Sequence, residues 1–248
     1  AAAVHGVYVR NALAAGERDG LVFFADGEAA AVAWFGPRGN LVLIAGERLA
    51  GAGREIAAHV LAAPWPWRIA MGPAGLVDAL RDRLGRPALV HRDQVYYTGD
   101  AGTAVSEHAR DDVRRPEPGD RERLARATLQ LNESDLNIPP ARVDRRWLYG
   151  TIDERLRDGT TRVLGPVGGI WCKLDFGSDG PGGRVLEGVF TFPERRGRGL
   201  CTELVATSLR DAPGAVSLHV AEHNRAARRA YERAGMLAVD RCRLLLVT

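Results

Sequence analysis

The chain has 248 residues, of which 46% are hydrophobic and 26% charged, and its net charge is +3. That length fits one large or two small domains, and so small a charge excess argues against a nucleic-acid partner. Cys172, Cys201 and Cys242 are too sparse and scattered for a metal site or a disulfide framework, and no apolar run approaches a membrane span. A cytoplasmic protein with no metal, no membrane and no nucleic-acid partner is therefore expected.

In chain order, Val4–Leu13 reads as a first helix. Leu21–Ala25 and Ala29–Phe35 read as a hairpin around Asp26-Gly27. A turn at Pro37-Arg38-Gly39-Asn40 leads to a strand at Leu41–Ala45. A helix at Glu55–Ala63, a strand at Arg68–Met71, a helix at Leu76–Leu84 and a strand at Ala88–Thr98 follow. Gly99–Asp112 is polar and poor in large apolar residues, as a linker would be. Beyond it, Val113–Arg115 reads as an edge strand and Pro118–Leu131 as a helix, with a loop at Asn132–Ala141 and a helix at Arg145–Leu156. Thr161–Leu164, Gly168–Phe176 and Val185–Phe192 read as antiparallel strands. A helix over Gly199–Asp211, a strand over Ala215–Ala221, a helix from Asn224 and one or two strands over Met236–Val247 complete the chain.

One stretch carries chemistry. Val185–Phe192 is β-branched and aromatic, Pro193 ends it, and Glu194–Gly199 holds three arginines and two glycines before a helix. Such a turn aims backbone N–H groups and the positive end of a helix dipole at one point. The glycines admit an anion to the backbone, and Arg195, Arg196 and Arg198 add charge around it, so a pyrophosphate is the expected guest. The pattern is neither a Walker loop nor a Rossmann fingerprint. Farther on, Asn224, Ala227, Tyr231 and Gly235 recur at helical spacing on one face.

Taken together, Arg196-Gly197-Arg198-Gly199-Leu200-Cys201 and Asn224…Ala227…Tyr231…Gly235-Met236 resemble two motifs of the GNAT superfamily of acyl-CoA-dependent N-acyltransferases. Cys201 and Met236 depart from the usual small residue and phenylalanine. The first half repeats the element order of that fold, and Arg48-Leu49-Ala50-Gly51-Ala52-Gly53 formally matches the first motif without the second. The resemblance implies an α/β (α+β) chain of two tandem GNAT-like domains, each a mixed, mostly antiparallel sheet flanked by helices. Residues 1–105 would be a degenerate half and 106–248 a competent one, in the manner of actinobacterial-type tandem acetyltransferases. A second acyl-CoA site in the first half stays open.

The resemblance further implies acetyl-CoA as donor, bound by Val189, Phe190, Thr191, Arg195, Arg196, Gly197, Arg198, Gly199, Leu200, Cys201, Asn224 and Ala227. Tyr231 would be the general acid for the departing thiolate and Glu187 the base for the incoming amine, with Glu222 among its rivals. Glu133 and Asp135, in the loop where the family builds its acceptor pocket, would attract a cationic acceptor. His219, His223 and a nucleophilic Cys201 are weaker candidates. The expected reaction is acetyl transfer to a primary amine of a small molecule or protein by direct attack, and a homodimer is left open. Transfer to a hydroxyl or a protein N-terminus is a further reading. The alternative is a non-catalytic acyl-CoA-binding regulator.

Overall fold

A computed structural model describes residues 6–46, 51–85 and 87–247. Arg48, Leu49 and Ala50 of the formal motif in the first half lie outside them. The N-terminal half runs α1 (Gly6–Ala14), β1 (Gly20–Ala25), β2 (Glu28–Phe35), β3 (Asn40–Ala45), α2 (Gly53–Ala62), β4 (Ile69–Gly72), α3 (Ala74–Leu84) and β5 (Ala88–Gly99). The C-terminal half runs α4 (Arg121–Leu136), α5 (Arg145–Asp158), β6 (Thr161–Leu164), β7 (Cys172–Gly180), β8 (Gly183–Thr191), α6 (Leu200–Arg210), β9 (Val216–Ala221), α7 (Arg225–Ala234) and β10 (Leu237–Val247). The hairpin turn forms as its residues dictate: Asp26 and Gly27 both take positive φ, at 53° and 80°.

All ten strands join one sheet in the order β1-β2-β3-β4-β10-β5-β9-β8-β7-β6. The order reads symmetrically about the β10–β5 pair. Each half supplies a parallel pair, β3–β4 and β8–β9, in otherwise antiparallel surroundings. The last strand of each half crosses over: β10 lies against β4, and β5 against β9. Helices α6 and α7 bury Leu204, Val205, Leu209 and Tyr231 against Leu174 and Leu218, while α2 and α3 bury Ile56, Val60 and Leu80 against Leu41 and Leu43. α4 and α5 form a smaller cluster over Val163 and Ile170.

Two boundaries shift from the sequence reading. α4 runs on to Leu136 instead of giving way to a loop at Asn132. Its stop is Asn137, left-handed at φ 55°, followed by two prolines that cannot continue a helix. Glu133 and Asp135 therefore sit in the last turns of α4, not in a loop. β7 starts at Cys172 because 165–171 is occupied by a turn in which the Gly169 N–H donates to the Pro166 carbonyl. The polar segment after β5 is packed: the Val105 N–H donates to the Ala234 carbonyl, and Arg110 reaches Glu203 at 2.9 Å.

Asp120 staples the start of α4. Its fully buried carboxylate accepts from Arg114 Nη1 at 2.6 Å and from the N–H groups of Glu117 and Gly168, each at 2.8 Å. Burial alone would raise this carboxyl, but the Arg114 and backbone bonds outweigh it and hold the pKa below the usual carboxylate range. Its stabilising effect is present above the unfolded value of about 3.9 and is lost as pH falls from there through the lower folded value. Asp120→Asn is expected to cost about 1–3 kcal/mol at pH 7. Urea unfolding should show the gap to the parent closing in the acid range below the unfolded value.

Candidate active site

The site is made where β8 leaves β9. These strands pair only at Arg184↔Val216, Val185↔Ser217 and Leu186↔Leu218. On its other side β8 bulges against β7, where the register jumps from Lys173↔Phe190 to Asp175↔Glu187. A bulge bends its strand and sharpens the local twist, so β8 swings away from β9 at Glu187–Thr191. Gly188, at φ 57°, sits in the bulge, and a Cβ there would strike the Asp175 carboxylate and the Lys173 ammonium. Only glycine allows this opening. In the other half, β2 and β3 pair without a bulge, and Gly72 at the end of β4 presses on the Leu43 backbone.

Two cavities meet at this opening and share Leu131 and Asp135. The first, of about 820 Å³, is lined by Val189–Thr191, by Arg195–Thr202 and by the outer face of α7. Gly199 starts α6 in the left-handed region, at φ 80°, with no side-chain cap, so the first N–H groups of the helix face the cavity. A Cβ on Gly199 would meet only Glu203 Oε1, at 3.7 Å, so the space above the backbone is open for a ligand. Arg196 Nε donates to the Thr191 carbonyl at 3.1 Å, and Arg195 lies over the Trp171 ring at 5.0 Å. Both contacts pin the turn. Asn224 caps α7 by accepting from the Ala227 N–H at 3.1 Å while also lining the cavity.

Arg225, Arg229 and Arg233 were not singled out in the sequence, yet they line the same cavity. Their spacing of four along α7 is the signal that would have found them. Among the described residues these three and Arg198 have no carboxylate partner, and Asp135 is the only carboxylate on the cavity wall. A ligand with several phosphate charges fits this lining.

Tyr231 is buried on α7 and turned into the cavity, with its ring edge-on to Tyr97 at 6.0 Å. Its hydroxyl makes no hydrogen bond to a described residue. Burial, then the nearby Cys201 and Cys172 thiols, hold the phenol pKa well above its ordinary value. Burial likewise raises the Cys201 thiol, which leaves it a packing residue with no thiolate to offer.

The second cavity, of about 700 Å³, draws its walls from both halves. Glu187, Arg155, Lys173 and Asp175 sit at its base. Arg155 pairs with Asp175 and, at 2.6 Å, with Glu187 Oε1; Lys173 pairs with Asp175, and Thr161 Oγ1 donates to Asp175 at 2.7 Å. Arg38, from the β2–β3 turn, stands 3.6 Å from Glu187. Burial, then the charge of Arg155, pull the Lys173 ammonium below the usual lysine range, and the charge of Glu187 opposes them. This cluster went unread in the sequence, although the sole lysine with an aspartate two residues on, hence on the same strand face, was its trace.

Asp135 lines both cavities, held by Arg92 at 2.8 Å. Glu133 is exposed and lines neither cavity. Glu222 pairs with Arg241 at 3.0 Å and also stands outside both. His219 lies in the second cavity against the Tyr96 ring, at 4.7 Å, and His223 on the wall of the first.

The parallel pair β8–β9 thus opens beside an arginine-lined helix start. Residues 116–236 match the acetyltransferase (GNAT) family. Solved structures of similar fold include a GCN5-related N-acetyltransferase from Kribbella flavida, 14% identical, covering 99% of this chain and 95% of that one at a TM-score of 0.54. Another is from Sphaerobacter thermophilus, 23% identical over 92% of this chain and 80% of that one, with a TM-score of 0.51. No match was found among curated proteins. No helix among the described residues is long and apolar enough to cross a membrane.

Proposed function

We propose that the protein transfers an acetyl group from acetyl-CoA to a primary amine, with the donor in the arginine-lined cavity and the acceptor in the other. The observation that carries this reading is the meeting of the two cavities at the β8–β9 opening. The Gly197–Leu200 backbone and Arg195, Arg196 and Arg198 hold the diphosphate, and the α7 arginines face the remaining phosphate charge. The β8 backbone freed at Val189–Thr191 pairs with the pantetheine amides. It also lends an N–H to the thioester oxygen as charge develops there.

The residues then divide the proton work. Glu187 takes a proton from the incoming ammonium through Oε2, directly or by way of water, while Arg155 and Arg38 tether Oε1. The amine nitrogen bonds to the carbonyl carbon and the C–S bond breaks. Tyr231 donates its phenolic proton to the departing sulfur and is reprotonated by the proton shed from the new amide nitrogen. The net products are the amide, CoA thiol and one proton released to solvent. Orientation across the opening supplies most of the rate gain.

The N-terminal half is proposed to be a degenerate repeat of the C-terminal half, supported by the symmetric strand order with its exchanged end strands. It lacks the bulge between β2 and β3, and the depression equivalent to the donor cavity sets Asp78 and Asp82 beside Arg54 and Arg83, where the donor cavity has a run of arginines and one carboxylate. This contrast supports the C-terminal cavity as the donor site.

Titration with acetyl-CoA, followed by CoA release over a panel of amines, tests the assignment. Gly199→Glu puts a carboxylate in the cradle and is expected to weaken binding about 10- to 100-fold, the scale of a lost charge-assisted bond. Undiminished affinity would move the donor elsewhere. Binding without turnover of any amine would favour a regulatory acyl-CoA-binding protein.

A further inference from the structure

The second cavity has a property that sets the kind of acceptor. Its charged groups neutralise one another: Arg155 with Asp175 and Glu187, Lys173 with Asp175, Arg38 near Glu187, and Arg92 with Asp135. Of its lining charges only Glu154, at the exposed side of α5, has no ion-pair partner among the described residues. No concentrated anionic field is left to draw a polyamine or a basic peptide, and no cation is set apart to clamp a substrate carboxylate.

Beyond the polar Gln94, Thr128, Asn132, Thr151 and His219, the remaining walls are apolar. Ile69 and Met71 of β4 and Leu244 of β10 form one side, while Leu131, Trp147 and Leu148 of α4 and α5 form the other. Trp147 is 56% exposed, a large ring kept at the cavity edge with more than half of its surface open to solvent. An indole in that position regains burial only when something apolar lies on it. The volume of about 700 Å³ is ample for a small molecule and is open to solvent on one side.

We propose that the acceptor is a small primary amine carried on an apolar, aliphatic or aromatic body, and that β4 of the N-terminal half selects it by forming one wall. The proposal rests on the transferase reading above and narrows it to a substrate class. The N-terminal half then has a task of its own: β4, in a half without the β2–β3 bulge, presents Ile69 and Met71 to the acceptor.

A series of straight-chain alkylamines, from propylamine to octylamine, tests this. Each methylene buried on the apolar wall should raise kcat/KM by about fourfold until the cavity is filled, the equivalent of about 0.8 kcal/mol per methylene. Spermidine, glycine and a lysine-bearing peptide should fall below the longer alkylamines. Met71→Gln should flatten the series with the KM for acetyl-CoA unchanged. Trp147→Ala, at an exposed position that does not threaten folding, should reduce the gain for phenylethylamine most. A flat series, or preference for spermidine, an amino acid or the peptide, overturns the proposal. Calorimetric titration of the same amines onto the CoA-loaded protein separates the two readings. Chain-length-dependent binding without turnover defeats the transferase reading and keeps the apolar acceptor site, and turnover without chain-length dependence does the opposite.

Discussion

Replacing Tyr231 by phenylalanine is expected to lower kcat by about 10²- to 10⁴-fold, the range for losing a positioned acid, with acetyl-CoA affinity unchanged. The phenol is buried, lines the donor cavity and has no internal hydrogen-bond partner among the described residues, so its proton is free for the ligand. Phenylalanine keeps the ring against Tyr97 and removes one oxygen, so stability should hardly move. The raised phenol pKa adds a second readout. Tyr231 stays protonated through neutral pH and beyond the ordinary tyrosine range, so it cannot cause a loss of rate on the acid side. A variant with full kcat would return Tyr231 to a packing role. One that loses affinity for acetyl-CoA without losing kcat would make it a binding residue.

Asp175→Ala should destabilise the fold by about 3–5 kcal/mol, the cost of leaving buried charge unpaired. Asp175 is 2% exposed and stands between Lys173 and Arg155, with Thr161 on its other oxygen. Arg155 keeps Glu187, but Lys173, at 3% exposed, has no other carboxylate in contact among the described residues. Replacing both members, Lys173→Met with Asp175→Leu, removes the stranded charge and should recover most of the loss. Urea midpoints at unchanged slope read both effects. A single variant as stable as the parent would mean that the pair is hydrated and carries little. The double variant has a further use. Gly188 rests on this pair, so recovered stability with lost transfer would tie the bulge to positioning of the donor.

The donor side was far more legible in the sequence than the acceptor side. Arg196–Cys201 and Asn224–Gly235 are local patterns: a turn feeds a helix start, and a helix face repeats every three or four residues. The whole length of each motif lies on adjoining elements, so its chemistry is visible before folding. The α7 arginines belong to the same local class, recurring every four residues along one helix. The acceptor cavity gathers Arg38, Met71, Asp135, Arg155, Lys173, Glu187 and Leu244. They share no spacing, and no periodicity links a turn in the first half to the last strand of the chain. Glu133 and Asp135 show the same limit on a smaller scale. Their charge pointed to the acceptor, but the helix that carries them turns one outward and the other in.

What the sequence determined by itself was the succession of helices and strands, the helix-start cradle and the tyrosine face, because each depends on neighbours within a few residues. The tertiary structure decided how the two halves join. β5 and β10 exchange places at the centre of the sheet because each completes hydrogen bonds offered by the other half, and strand exchange of that kind leaves no mark on a hydrophobic pattern. It also decided where the sheet opens: at Gly188, where a bulge against β7 pulls β8 away from β9 over a buried Lys173–Asp175 pair. That opening depends on register between distant strands, a quantity that exists only once the chain has folded.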